Sequence, residues 1–218
     1  DVVHLSSSGL PSLVGISMWH RRRTPLVVTE HGLFLRERYL DLGRAQGRPA
    51  ETQVMLRFYH LMVAGIYRAA AVIAPVSGYN QQWQERVGAA PANIRLIHSA
   101  VEPSAFPVRL SEPHRPSVGW LGRIDPIKDL HTLIKAAAVM REEVPDVVVN
   151  LYGSAAPAQQ AYLRSCHELV DSLNLQQVVR FAGAVPSPAD AFHANQISAL
   201  SSISEGFPYV VLESMACG

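Results

Sequence analysis

The residues best suited to chemistry are two cations and two carboxylates in the second half of the chain. Arg123 and Lys128 stand five residues apart in Gly119-Trp-Leu-Gly122-Arg123-Ile-Asp-Pro-Ile-Lys128-Asp129. This stretch follows a strand-like run and leads into a helical one. Glycines at a strand end let the backbone approach a ligand closely. A guanidinium forks onto phosphate oxygens while an ammonium adds a point charge, so the pair suits one anion; the plainer alternative is two solvated loop charges. Asp129 is placed to cap the helix that follows. Glu205 and Glu213 occur in Ser201-Ser-Ile-Ser-Glu205-Gly206-Phe207-Pro208-Tyr-Val-Val-Leu-Glu213. Pro208 suits a first helical turn and Gly206 a tight entry, and backbone amides at such a helix start form an anion site. Two carboxylates with seven residues between them suit the vicinal hydroxyls at either end of an elongated ligand, or else are a helix-capping Glu205 and a surface Glu213. His31 stands just past the end of the run Leu26–Thr29. Alone, a strand-end histidine is more often a structural hydrogen-bonder.

Several chemistries are excluded. There is no Gly-x-x-x-x-Gly-Lys-Ser/Thr phosphate loop, no Gly-x-Gly-x-x-Gly after a strand and no Gly-x-Ser-x-Gly elbow. No metal-ligand cluster and no Asp-x-Asp pair stands ready to hold a divalent ion against a diphosphate, so no metal is expected. A diphosphate here must be neutralised by protein cations and backbone amides. The balance of 19 Lys+Arg against 18 Asp+Glu argues against nucleic acid as a partner. Cys166 and Cys217 are too few for a disulfide scaffold, which fits a cytoplasmic protein, and read as small buried hydrophobes. The basic run His20-Arg-Arg-Arg23 reads as a solvated loop, with contact to an acidic acceptor or anionic lipid as the alternative. No segment has the length and apolarity of a membrane span. Both ends look cut, so the chain is expected to be a fragment.

These residues need a scaffold. Continuous apolar runs at Val2–Leu5, Leu26–Thr29, Val72–Ala74, Ile94–His98, Ser117–Leu121, Val147–Tyr152, Val178–Ala182 and Ile197–Ser201 predict parallel strands covered on both faces. Helical stretches lie between them at Arg36–Ala45, Glu51–Ala71, Tyr79–Val87, Asp129–Glu143, Ala158–Leu173, Pro188–His193 and Pro208–Ala216. The alternation predicts an α/β fold of two Rossmann-like, doubly wound domains facing across a cleft. Four prolines between Glu102 and Pro116 predict an extended linker. The expected organisation is an N-terminal domain over 1–105, a linker over 106–116 and a C-terminal domain over 117–218.

Gly122-Arg-x-x-x-x-Lys128 followed by Glu205-Gly-Phe-Pro-x-x-x-x-Glu213 resembles the donor site of family 4 retaining glycosyltransferases of GT-B fold, whose signature is a Glu-x7-Glu pair. Upstream, Val28-Thr29-Glu30-His31-Gly32 and the following Arg36-Glu37-Arg38 are similar to the PelF-like branch, which makes exopolysaccharide. The likeness covers essentially the whole chain. It implies that Arg123 and Lys128, with the amides of Gly206 and Phe207, bind the donor diphosphate. Glu213 would hold the nucleotide ribose, Glu205 the transferred sugar, and His31 the sugar or the reacting centre; His31 and Glu205 are thus the expected catalytic residues. The implied donor is a UDP-sugar such as UDP-glucose, with no cofactor. The implied acceptor is a saccharide, and the implied partner a membrane polysaccharide synthase complex, placing the protein in the cytoplasm or at the periphery of the inner membrane. The alternatives are a GT-B nucleotide-sugar epimerase or an inactive nucleotide-binding fragment. One departure is plain: relatives carry an Asn-Gly-Val/Ile-Asp turn where this chain has His98-Ser-Ala-Val-Glu102.

Overall fold

The apolar runs form two separate parallel sheets in the computed structural model, which describes residues 1–44, 49–109 and 111–218. The chain divides into two units, Asp1–Ser99 and Ala100–Gly218. This parallel α/β architecture is the fold class expected from the alternation of runs. Among the described residues no helix is long and apolar enough to cross a membrane.

In the first unit, strands β1 (Val3–Leu5), β2 (Leu26–Glu30) and β3 (Ala70–Pro75) lie in the order β1-β2-β3, all parallel. Helices α1 (Ser12–Arg22), α2 (Phe34–Arg44), α3 (Pro49–Ala69) and α4 (Gly78–Val87) connect and cover them. Ala45, the expected end of α2, lies outside the described residues. Val28, Met62, Val63, Ile66, Tyr67 and Ile73 are buried together between sheet and helices.

Helix α1 is absent from the sequence reading. Its Ser12, Gly15 and Ser17 are poor or neutral helix formers, and tertiary packing makes the helix. A methyl at Gly15 would come within 2.9 Å of Leu5, and Ile16 reaches over Gly65 of α3. The run His20–Arg23 is therefore no loop. His20, Arg21 and Arg22 form the last turn, where cations oppose the negative end of the helix dipole, and Arg23 closes it with a left-handed φ of 55°.

Ile94–His98 is no strand either. Arg95 N–H donates to Ile73 O at 2.8 Å and Ile97 N–H to Pro75 O at 3.0 Å. Pro75 has no N–H with which to return a bond, so pairing stops at the single bridge Ile73–Ile94.

In the second unit, β4 (Ser117–Leu121), β5 (Val148–Tyr152), β6 (Val179–Gly183) and β7 (Ile197–Ser198) form a parallel sheet in the order β6-β5-β4-β7. Helices α5 (Leu130–Glu143), α6 (Gln160–Ser172), α7 (Pro188–His193) and α8 (Tyr209–Cys217) alternate with them. Trp120, Leu130, Ile134, Val149, Leu151, Cys166 and Leu175 fill the core. Burial pushes the Cys166 thiol up to about 11, so it stays a thiol.

The proline-rich stretch is bonded to this unit. Arg109 N–H donates to Cys217 O at 2.9 Å, and the Arg109 guanidinium donates to Asn195 O at 2.6 Å. The His193 ring lies 2.8 Å from Pro107 O. The division between units accordingly falls at Ser99/Ala100, ahead of the stretch, whereas the sequence places it after residue 105. Leu110, inside the expected linker, lies outside the described residues.

Candidate functional site

The loop leaving β4 is built residue by residue. Gly122 N–H donates to Tyr152 O at 3.0 Å, which holds the loop against the end of β5. The contact requires glycine on the other side: Gly153 has a φ of +138°, and a methyl there would overlap the Gly122 carbonyl oxygen. Arg123 follows and is exposed. The Asp125 carboxylate then accepts from Ile127 N–H at 3.0 Å, closing a tight turn over Pro126–Lys128. Asp129 caps α5 as expected, accepting from Thr132 N–H at 3.3 Å and from the Thr132 hydroxyl at 2.7 Å. Leu130 N–H donates to the Tyr162 hydroxyl at 2.8 Å. Burial pushes that phenol up to about 12, so it remains a neutral member of the cap.

The chain leaving β7 crosses to meet this loop. Ile203 N–H donates to Ile127 O at 2.8 Å, and the Ser201 hydroxyl donates to Lys128 O at 2.7 Å. These two bonds bring together segments more than seventy residues apart. The Lys128 ammonium then reaches Glu205 Oε1 at 2.6 Å, with 21% and 23% of the two side chains exposed. Pro208 caps α8 in extended geometry instead of opening it. Glu213 lies on that helix, and burial raises its carboxyl above the ordinary glutamate value. Burial first, and then the Glu213 charge, also raise the buried Cys217 thiol.

A cleft of about 300 Å³ results, at the carboxyl ends of β4 and β7. Arg123, Lys128, Glu205, Phe207 and Glu213 line it together with Pro208 and Tyr209. Gly206, between two lining residues, does not. The sequence reading passed over Tyr209; its place beside Pro208 was the available signal. His31 belongs to the first unit, exposed just after β2. A larger hollow of about 570 Å³ on α2 and α3 is lined by Tyr39, Val54, Leu56, Arg57, His60 and Leu61, and among the described residues no carboxylate lines it beside Arg57. Among the described residues no group of three or more His, Cys, Asp and Glu side chains is placed to hold a metal ion.

Chemically, the cleft offers an anion two cations and the start of α8, and offers hydroxyl-bearing groups two carboxylates. In open α/β sheets the carboxyl ends of the strands are where ligands bind.

Comparison with known proteins shows the family of the second unit. Residues 103–218 match the family model described as glycosyl transferases group 1, and residues 1–92 match a domain of unknown function, DUF3492. The D-inositol 3-phosphate glycosyltransferase of Kribbella flavida is 32% identical over an alignment covering all of this chain and 53% of that protein. Its namesake from Thermomonospora curvata is 26% identical, with all of this chain and 54% of that protein covered. The chain thus spans about half the length of these curated relatives. Among solved structures, HepE of Anabaena in complex with UDP superposes with a TM-score of 0.81 at 21% identity, covering all of this chain and 57% of that one. Sucrose-phosphate synthase from Thermosynechococcus elongatus gives 0.80 at 23% identity, covering all of this chain and 54% of that one. At these identities the superpositions establish the fold, which is that of GT-B glycosyltransferases.

Proposed function

The chain belongs to the glycosyl transferases group 1 family, and we propose that the protein moves a sugar from a nucleoside-diphosphate sugar to an acceptor hydroxyl, using the cleft of the second unit as its donor site. The observation that carries this reading is the sharing of one cleft by Arg123, Lys128, Glu205 and Glu213. In the transfer, the bond between the anomeric carbon and the diphosphate oxygen breaks as the acceptor oxygen bonds to that carbon. The acceptor proton leaves on a phosphate oxygen of the departing nucleoside diphosphate. Negative charge grows on that leaving group, and Arg123, Lys128 and the α8 amides stabilise it where it grows.

The Lys128–Glu205 pair divides the work. One ammonium hydrogen stays on Glu205 and two remain for phosphate oxygens. Glu205, fixed by the same bond, turns its other oxygen toward the transferred sugar. Glu213, whose carboxyl is raised by partial burial, accepts from the ribose hydroxyls. Protein groups thus cover the whole diphosphate, and the reading calls for no metal.

In finer detail we propose a hexose donor carried on UDP, retention at the anomeric carbon, and a saccharide acceptor in exopolysaccharide assembly of the PelF-like type. A membrane polysaccharide synthase complex would be the partner, and the cytoplasm or the periphery of the inner membrane the place. The UDP held by HepE and the Thr29-Glu30-His31-Gly32 element support this choice, and His31 is assigned to the sugar or the reacting centre. The relatives above are named for sugar transfer, so the epimerase alternative has no support among them. The test is a panel of nucleotide sugars and oligosaccharide acceptors with the full-length protein. Lys128→Ala and Glu205→Gln should each abolish transfer; wild-type rates in both would refute the site.

A further inference from the structure

The first unit holds a carboxylate that the transfer chemistry leaves unused. Glu30, the last residue of β2, is fully buried, and burying an unpaired carboxylate is strongly unfavourable. Its partners come from three other elements. Oε1 accepts from Ser8 N–H at 3.3 Å and from the Ser8 hydroxyl, in the loop after β1. Oε2 accepts from the Tyr67 hydroxyl on α3 and from Gln84 Nε2 on α4 at 3.0 Å. Four donors thus converge on two oxygens, the full complement a carboxylate takes. Burial, the Glu30 charge and their hydrogen bond hold the Tyr67 phenol well above its ordinary value, so it stays a donor.

Such a network is a costly way to fill a core, because apolar residues of similar volume are often as stabilising as buried ionic groups. What it supplies is fixed geometry at the carboxyl edge of the sheet. The loop Ser6-Ser7-Ser8-Gly9 contains no apolar side chain to anchor it. It is held by polar bonds: Ser8 to Glu30, Gly9 N–H to Ser7 Oγ at 3.1 Å, and the Ser12 hydroxyl to Ser7 O. His31 follows Glu30 by one peptide, so the bonds that hold Glu30 also fix the direction in which the chain enters the turn carrying His31.

We propose that Glu30 is the positioning residue of His31: an anion sealed beneath the sheet edge that locks the His31 turn and the serine loop 6–9 into one geometry. The proposal rests on the role given to His31 above and makes Glu30 indispensable to it without contact with the sugar. Glu30→Gln tests it closely, since the amide keeps the volume but turns one NH2 toward donors on one side.

The experiment is a double-mutant cycle in the full-length protein: Glu30→Gln, His31→Ala and both together. Transfer kinetics are measured at a temperature where circular dichroism shows each variant folded. Glu30→Gln should lower kcat by about tenfold to a hundredfold, the cost of a misplaced functional group. Donor KM should stay within about twofold, because the proposed diphosphate and ribose contacts all belong to the second unit. In the His31→Ala background Glu30→Gln should cost nothing further, since residues acting as a unit are non-additive. Losses that multiply, or a lowered melting temperature with unchanged kcat, would overturn the proposal and leave Glu30 a purely structural group. Full activity in His31→Ala would overturn it through His31. The Lys128 and Glu205 variants would still report separately on the donor site. If Glu30→Gln does not fold, Tyr67→Phe removes one donor of four and enters the same cycle with the same required non-additivity.

Discussion

Replacing Glu213 by Gln should make the empty protein more stable and its nucleotide binding much weaker. Burial raises this carboxyl above the ordinary value of 4.5, and among the described residues no donor or cation is bonded to it. The folded chain therefore holds the Glu213 proton more tightly than the unfolded chain does. Stability from that proton is complete below pH 4.5 and is lost as pH rises through the raised value. At pH 4 wild type and Glu213→Gln should melt together; by pH 7 the variant should melt higher. With nucleotide present the order of effects reverses. Hydrogen bonds to a charged acceptor contribute about 1.5–3 kcal/mol, so loss of the charge should weaken UDP binding by about fiftyfold. At a UDP concentration 100 times the wild-type Kd, ligand stabilisation is about 2.7 kcal/mol. For a Kd fiftyfold higher, the same concentration gives about 0.6 kcal/mol. At about 3 °C per kcal/mol for a chain of this size, the UDP-induced shift should fall from about 8 °C to about 2 °C. Scanning fluorimetry of the 218-residue chain, with and without UDP at both pH values, measures all four quantities. An unchanged UDP shift in the variant would refute the ribose assignment. A variant less stable than wild type at pH 7 without UDP would refute the desolvation argument.

Three further outcomes follow from the geometry of the same cleft. Gly153→Ala should destabilise the chain by about 3 kcal/mol or more, because a left-handed φ and a collision with backbone act together; urea titration showing a loss of under about 1 kcal/mol would contradict the close approach to Gly122. Asp129→Ala should cost about 1 kcal/mol through the lost α5 cap, and Asp129→Gly only a few tenths, since glycine accepts the left-handed φ of 46°. Lys128→Ala and Glu205→Gln, combined in a stability cycle, should show a coupling of about 1 kcal/mol, between the values for exposed and buried pairs; additivity would mean that the 2.6 Å pair contributes nothing in solution.

The sequence disclosed what is local. Strand Ser117–Leu121 and helix Pro188–His193 run between the residues expected, because a short run bounded by Pro116 and Gly122 and a proline at a helix start are local signals. The Asp129 cap is equally local. Failures arose wherever a distant partner decides. Helix α1 depends on the fit of Gly15 over Leu5 and of Ile16 over Gly65, which its own composition does not announce. Ile94–His98 has strand composition, yet Pro75, about twenty residues earlier, denies it the return bond. At the site, spacing could bring Arg123 near Lys128 and Glu205 near Glu213, but nothing in the spacing joins the two pairs. That juxtaposition follows from sheet order, since β7 pairs with β4 and places their following loops side by side. Glu30 was legible only as part of the element carrying His31. An acidic residue is expected outside, and the donors that permit its burial stand at positions 8, 67 and 84.

Glu30 ends a strand and Glu213 lies on a helix, and their surroundings separate structure from function. Glu30 is fully buried and meets four donors, so nothing remains for a ligand to provide. Glu213 is only partly buried yet bonded to none of the described residues, so it bears a desolvation cost that a hydroxyl-bearing ligand would relieve. A group selected for stability alone would be paired or replaced by an apolar residue; one left underserved at the mouth of a cleft is the kind of local conflict that persists where binding requires it. Lys128 lies between these cases. Its bond to Glu205 satisfies one hydrogen and leaves its charge only partly compensated for a polyanion. On this ground anion binding should depend more steeply on Arg123 and Lys128 in the Glu205→Gln background, where the ammonium has no competing carboxylate. UDP affinity measured by calorimetry in Glu205→Gln, with and without Lys128→Ala, would show the steeper loss; equal losses in both backgrounds would mean that Glu205 does not restrain the cation at all.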